Sequence, residues 1–207
     1  FLEPAATLAQ KRFALQAVKD IGAVGVEQVD TLMRMGYVQR IVPLMRSVAV
    51  GPRPTVPTPE ERQLQRLAAE ALALMMTEHL EVREIAFNAN AMAILRMMLV
   101  NGRSDVRGEA AAKALSYLIK RHDEYMDALF APGQPQVMPY LNLMLQSAQE
   151  SGNEGVFDYD KAYAVLRLLT PISVSDRHAW KIVDQPSMLG HLINLLSGTD
   201  GAQPFGF

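Results

Sequence analysis

Apolar residues recur along this chain in two stripes, and each stripe occurs four times. The first reads Ala14-Ala17-Val18-Ile21, Ala68-Ala71-Leu72-Met75, Ala111-Ala114-Leu115-Leu118 and Ala162-Val165-Leu166-Leu169, with the same internal offsets every time. Steps of three and four put these residues on one face of a helix. Small alanine at the first position lets a neighbouring helix come close. The second stripe reads Val38-Ile41-Leu44-Met45, Met92-Leu95-Met98-Leu99, Val137-Tyr140-Leu143-Met144 and Leu189-Leu192-Leu195-Leu196. It predicts a second helix of about three turns. Between the two there is room for a short helix, predicted at Val26 to Met35, Val82 to Asn88, Tyr125 to Phe130 and Arg177 to Val183. Alternating runs of Val, Ile and Thr are absent, so strands have almost no support.

The anchors Ala17, Ala71, Ala114 and Val165 stand 54, 43 and 51 residues apart. A helical unit of roughly 42 residues leaves a surplus, which falls in two loops. One spans residues 49–59 and holds Pro52, Pro54, Pro57 and Pro59, of which only Pro59 suits a first helical turn. The other spans 147–158, with Gly152, Asn153 and Gly155. The tight version is Asn101-Gly102-Arg103-Ser104, where Asn-Gly suits a turn and Ser104 a helix cap.

The unit resembles the armadillo repeat. That family's second helix reads Gly-small-Ile-x-x-Leu-Val-x-Leu-Leu, and Gly36-Tyr37-Val38-Gln39-Arg40-Ile41-Val42-Pro43-Leu44-Met45 is similar nearly position for position. Its third helix reads Ala-Leu-x-Ala-Leu-x-x-Leu, which 109–118 and 68–75 resemble. The resemblance covers roughly residues 8–197. It implies an all-α fold, a right-handed α-solenoid of about four helical repeats in one domain over 1–198. The expected units are a leading helix at 8–22, then 25–78, 79–121, 122–170 and 175–197, followed by a tail at 199–207. HEAT repeats are the near alternative; the intervening short helix favours armadillo.

Such arrays leave a concave groove lined by their third helices, which takes an extended peptide or a partner helix. On this resemblance the candidate contact residues are Lys11, Arg12, Gln16 and Asp20 on the first unit, Arg62, Arg66 and Glu70 on the second, and Arg107, Lys113 and Tyr117 on the third. Importin-type members carry a Trp and, four residues on, an Asn on each third helix. The equivalent positions here are Gln16 and Asp20, Glu70 and Leu74, Lys113 and Tyr117, Ala164 and Leu168. No Trp–Asn ladder is present, so capture of nuclear-import cargo is not expected. The fourth pair is apolar where a groove should be polar, as if covered by a further segment or partner.

Composition narrows the function classes. Of 207 residues 49% are hydrophobic and 20% charged, enough to bury a core. The net charge of −2 gives no basic field, so nucleic acid is not the expected partner. Cysteine is absent, which excludes disulfides, Cys-ligated metal and a Cys nucleophile. The apolar stretch Ala91 to Val100 is interrupted by Arg96 and falls far short of the roughly 20 residues a membrane helix needs. No Asn-x-Ser/Thr site or signal peptide is visible, and an intracellular, cytoplasmic location is the expectation.

Chemistry-bearing residues are sparse. His79 and His122 share one repeat position and are expected near a helix C-terminus, where partial positive charge suits the dipole. His178 and His191 lack metal-ligand spacing. Asp158 and Asp160 read as helix caps rather than paired acids. Trp180, Tyr125, Met97, Met98 and Met144 read as packing between units. Arg34, Arg40, Arg46 and Arg53 read as a solubilising face. No phosphate-cradling loop or nucleophile elbow occurs, so no catalytic residue, cofactor or metal is expected. Phe1-Leu2 and Phe205-Gly206-Phe207 put apolar groups at the ends, and the chain does not begin with Met. It is therefore read as a fragment whose array continues or docks into a larger assembly. The expected function is a non-catalytic protein-interaction module, scaffold or structural subunit. The alternative is a regulatory domain of an enzyme whose catalytic part lies outside this sequence; a kinase, ligase or hydrolase signature in a full-length parent would decide for it.

The stripes make a direct test. Ala71→Asp should bury an unpaired charge between helices and cost several kcal/mol. An unchanged melting temperature would show that Ala71 does not face the core.

Overall fold

The computed structural model describes residues 2, 5–46, 57–77, 79–102, 105–134, 136–150 and 157–197, and the side chains of 150, 186, 196 and 197 are left aside. Among the described residues the fold is all-helical. Helices α1 Leu8–Gly22, α4 Pro59–Met75, α7 Val106–Leu118 and α10 Tyr159–Ser173 carry the first stripe. Short helices α2 Val26–Arg34, α5 Leu80–Asn88, α8 Asp123–Leu129 and α11 Trp180–Val183 follow them. The second stripe lies on α3 Tyr37–Ile41, α6 Ala91–Asn101, α9 Val137–Glu150 and α12 Pro186–Ser197.

Local chemistry explains where these helices start. Thr7 caps α1 and Thr58 caps α4, each in a reciprocal box with Gln10 and Glu61. Pro59 takes the first helical position of α4, where a missing N–H costs nothing. Asp105 caps α7 and Asp158 caps α10. The cap expected at Ser104 lies outside the described residues, and Asp105 does that work through Arg107 N. Helices α3 and α6 are entered through left-handed residues, Gly36 at φ 74° and Asn90 at φ 67°. Glycine and asparagine tolerate that conformation, so one backbone pivot recurs in two units.

The expected three-turn helix at Val38–Met45 is only partly formed. α3 ends at Ile41 and tightens into a 3-10 segment at Val42–Met45. Pro43 has no N–H to continue the α ladder. The loop expected at 147–158 begins later, because α9 runs on to Glu150. Residues 47–56, 151–156 and 198–207 lie outside the described residues, with most of the predicted loops and the tail.

Packing follows the stripes. α1 lies on α4, α4 on α7 and α7 on α10, forming one row in chain order. The 3-10 segment touches α6, α6 touches α9 and α9 touches α12, forming a second row behind it. The α4–α7 pairing is the most extensive among the described elements, and Ala68, Ala71, Ala111 and Ala114 on those two helices are fully buried. Leu72, Met75, Leu115, Leu118, Val165 and Leu169 are buried as the stripe predicts. Others, Ala14, Ala17, Leu44, Tyr140 and Leu166 among them, are only half-buried, and some are exposed. Ile21 is 45% exposed, and Leu143 and Met97 also face solvent. In α9 the core side is Val137, Leu141, Met144 and Leu145, so its buried face is rotated from the predicted one. Trp180, expected to be packed, is 55% exposed, with its indole N–H on Arg177 O. Tyr125 is buried as expected, stacked between Phe87 and His122.

The two equivalent histidines occupy a different place from the one expected. His79 and His122 stand at the N-caps of α5 and α8, not at a helix C-terminus. A cation gains nothing from the dipole there. His79 instead reaches Asp30 of α2 at 3.3 Å, and His122 serves as a flat surface for Tyr125.

Buried arginines fasten the units. Arg83 of α5, 4% exposed, donates to Met76 O at 2.8 Å, Thr77 O at 2.9 Å and Lys120 O at 3.2 Å. Those carbonyls end α4 and α7, where helices leave acceptors unpaired. Arg96 of α6 donates to Ala128 O of α8. Arg83→Met should leave these carbonyls unsatisfied and cost about 3 kcal/mol. A lowered urea midpoint checks it, with Arg83→Lys retaining part of the loss.

Candidate functional site

The row of capped helices has an open face. A groove of about 440 Å³ crosses it, lined by Lys19 of α1, Arg66 and Glu70 of α4, Glu109 and Lys113 of α7, and Asp160 and Arg167 of α10, among others. Of the predicted contacts the structure brings together Arg66, Glu70, Lys113 and Tyr117. Lys11, Arg12 and Arg62 are half-buried elsewhere on α1 and α4. Gln16 and Asp20 are exposed and hydrogen-bond each other at 2.8 Å. Arg107 is not available as a contact. It is buried and donates to Asp105, to Gln65 Oε1 at 3.1 Å and to Asn101 O, so it ties α7 to α4 and α6.

The charged and tyrosine groove residues not among the predicted ones are Lys19, Glu109, Asp160, Tyr163 and Arg167. A signal existed for two of them. Arg66, Glu109 and Asp160 all stand five residues before their anchors, at one repeat position. In α10 the face turns, so that Tyr163 and Arg167 look into the groove and Leu168 is buried. That rotation explains the apolar Ala164–Leu168 pair. Leu168 is a core residue, and the polar lining sits one position earlier.

Charges on the α1–α4 side are spent internally. Lys19 pairs with Glu70, and Arg66 Nε lies 3.6 Å from the same carboxylate. Those on the α7–α10 side are not. Among the described residues the side chains of Glu109, Lys113 and Asp160 make no hydrogen bond or ion pair. Burial first, and then the neighbouring Asp158 and Asp160 carboxylates, push the Glu109 carboxyl up, with Lys161 and Arg66 opposing. Burial would raise Asp158 too, but the N–H and ammonium of Lys161 outweigh it and hold that carboxyl down.

A second cavity of about 600 Å³ opens beside the groove between α7 and α10. Tyr117, Tyr163 and Arg167 line both. The Arg167 guanidinium lies 4.3 Å from the Tyr117 ring centre. It donates to both tyrosine hydroxyls, at 3.1 Å for Tyr163.

One further cluster escaped the sequence reading. Ser175 Oγ and His178 Nδ1 are 3.0 Å apart, and His178 Nε2 lies 3.0 Å from Asp127 Oδ1. With the carboxylate accepting from Nε2, Nδ1 accepts the serine proton. That order of groups is found where serine is activated. Here Asp127 also holds Arg177 at 2.7 Å, His178 is buried against Phe130, and the Ser175 N–H is spent on Ile172 O. The chain of bonds locks α8 to the turn before α11. Among the described residues no group of three or more His, Asp or Glu could hold a metal ion, and no helix is long and apolar enough to cross a membrane.

No protein-family model matches the chain, and no curated protein does. Among solved structures the chain is similar to two engineered proteins from the Northeast Structural Genomics Consortium. The first gives a TM-score of 0.72 at 20% identity, over 94% of this chain and 70% of that one. The second gives 0.69 at 19% identity, over 96% of this chain and 70% of the other. At that identity the likeness is one of fold, an all-helical arrangement shared over nearly the whole chain.

Proposed function

We propose that this chain is an armadillo-like α-solenoid that acts as a protein-interaction module, taking an extended segment of a partner along the groove of α1, α4, α7 and α10. Long, short and long helices recurring in register support the architecture. So does the chain-order packing of equivalent helices into two rows. Neighbour-on-neighbour stacking of this kind leaves one long inner surface for binding.

A single observation carries the functional half. The groove keeps charged side chains that the fold does not use. Glu109, Lys113 and Asp160 have no partner among the described residues, and the Glu109 charge is opposed by its surroundings. A partially buried charge that costs stability is the kind of feature function retains. An extended peptide offers backbone amides and alternating side chains to such a surface.

A photo-crosslinking residue at Lys113 tests this, with Arg34 on α2 as a position outside the groove. Crosslinks to a partner should form at 113 and not at 34. Contacts confined to 34 or to the 49–59 and 147–158 segments would overturn the groove reading.

The cost at Glu109 can be checked separately. Its folded pKa lies above its unfolded one, so the charged form destabilises the fold above the folded pKa, and the penalty vanishes below the unfolded pKa. Glu109→Gln should therefore raise the melting temperature at neutral pH. The gain should close as pH falls through the carboxylate range.

A further inference from the structure

Arg167 is held by tyrosines and, among the described residues, by no carboxylate. Its guanidinium is half-buried, stacked on Tyr117 and bonded to the hydroxyls of Tyr117 and Tyr163. Among the described residues no carboxylate lies within ion-pair distance of it. Both hydroxyls accept from Arg167, so each keeps its own O–H to donate, and neither finds an acceptor among the described residues. One guanidinium and two phenols thus stand together as donors. Arginine's planar fork is suited to a carboxylate, and stacking on a ring holds it ready at little entropic cost.

The cavity beside this fork adds the second half of a code. Met126, Leu166, Pro171 and Val174 give it an apolar wall, and Lys120 and Arg121 make its rim basic against a single Asp123. A bare carboxylate fills the fork but not the cavity. A bare apolar side chain fills the cavity but leaves the cations uncompensated.

We infer that the α7–α10 cavity receives a partner peptide in which an acidic residue adjoins a leucine or aromatic residue. The acid bonds Arg167 and the two tyrosines, and the apolar side chain enters the cavity. This rests on the protein-binding reading above and gives it a ligand chemistry.

The test uses the whole chain and fluorescein-labelled dodecapeptides with Glu-Leu or Glu-Phe at the centre, read by fluorescence polarisation. Their Gln-Leu and Gln-Phe counterparts should bind about ten-fold more weakly or worse, as loss of a charge-assisted contact implies. Added salt should weaken the Glu peptides and not the Gln ones. Arg167→Gln should cost about the same factor. Tyr117→Phe keeps the ring and removes one donor, so it should cost less. Arg34→Gln, on α2 and outside the groove, should leave binding unchanged. Equal affinity for Glu and Gln peptides, an unaffected Arg167→Gln protein of normal melting temperature, or no binding at millimolar peptide would each overturn the inference. So would decanoate displacing the peptides from far below its micellar range, which would mark a small-molecule carboxylate site. If crosslinks at position 113 persist in Arg167→Gln, this inference falls and the groove reading stands. If position 113 is silent in the unaltered chain as well, both fall.

Discussion

The packing of α4 against α7, the most extensive helix pairing among the described residues, sets the frame for everything else. Both helices bury alanines, Ala68 and Ala71 on one and Ala111 and Ala114 on the other, which have no side-chain atoms beyond Cβ to hold a neighbouring backbone away. Dispersion contacts are individually small and grow quickly as surfaces close, so a face of small residues can pack as well as a face of large ones. The larger Leu72, Met75, Leu115 and Leu118 are directed to the same core. Once α4 and α7 are packed together, the polar residues on their other faces must share one surface. The groove is thus bounded by the same helices whose packing builds the core.

Electrostatics divides that surface into two halves. Toward α1 the charges neutralise each other, because Lys19 and Arg66 converge on Glu70. Toward α10 Asp158 pairs with Lys161, yet Glu109 is left beside acidic neighbours. A fold selected for stability alone would place a glutamine or a leucine there. The same asymmetry appears at Arg167, held by aromatic rings and hydroxyls where a carboxylate would be the ordinary neighbour. Both departures fall on α7 and α10, which concentrates the functional reading on one end of the groove.

Much of the helical layout could be read from spacing, because helical period is a property of a one-dimensional pattern. Ala71, Leu72, Ala114, Leu115 and Val165 are buried where their offsets put them, and three of the four short helices fall within two residues of the predicted spans. What spacing missed depends on neighbours in space. Pro43 shortens α3 through a local backbone effect that an apolar stripe does not register. Arg107 looked like a surface cation, yet Gln65, 42 positions away, supplies the acceptor that lets it be buried. Tyr163 and Arg167 became visible only when α10 was seen to turn its face by one position. Ser175, His178 and Asp127 meet across 51 residues, which no local motif can signal.

Arg83 has a consequence of a different kind. Its fork closes the ends of two successive long helices at once, so one side chain belongs to two structural units. Where each helix closes its own ends, a row of packed helices can fray from one end, one helix at a time. Here melting the α7 unit would strip an acceptor from a guanidinium still seated in the α4 unit, and the remaining structure would carry the penalty. The two middle units are thereby coupled as a single cooperative block. Hydrogen exchange deep in α4 and α7 should share one opening free energy, whatever the mobility of the units at either end.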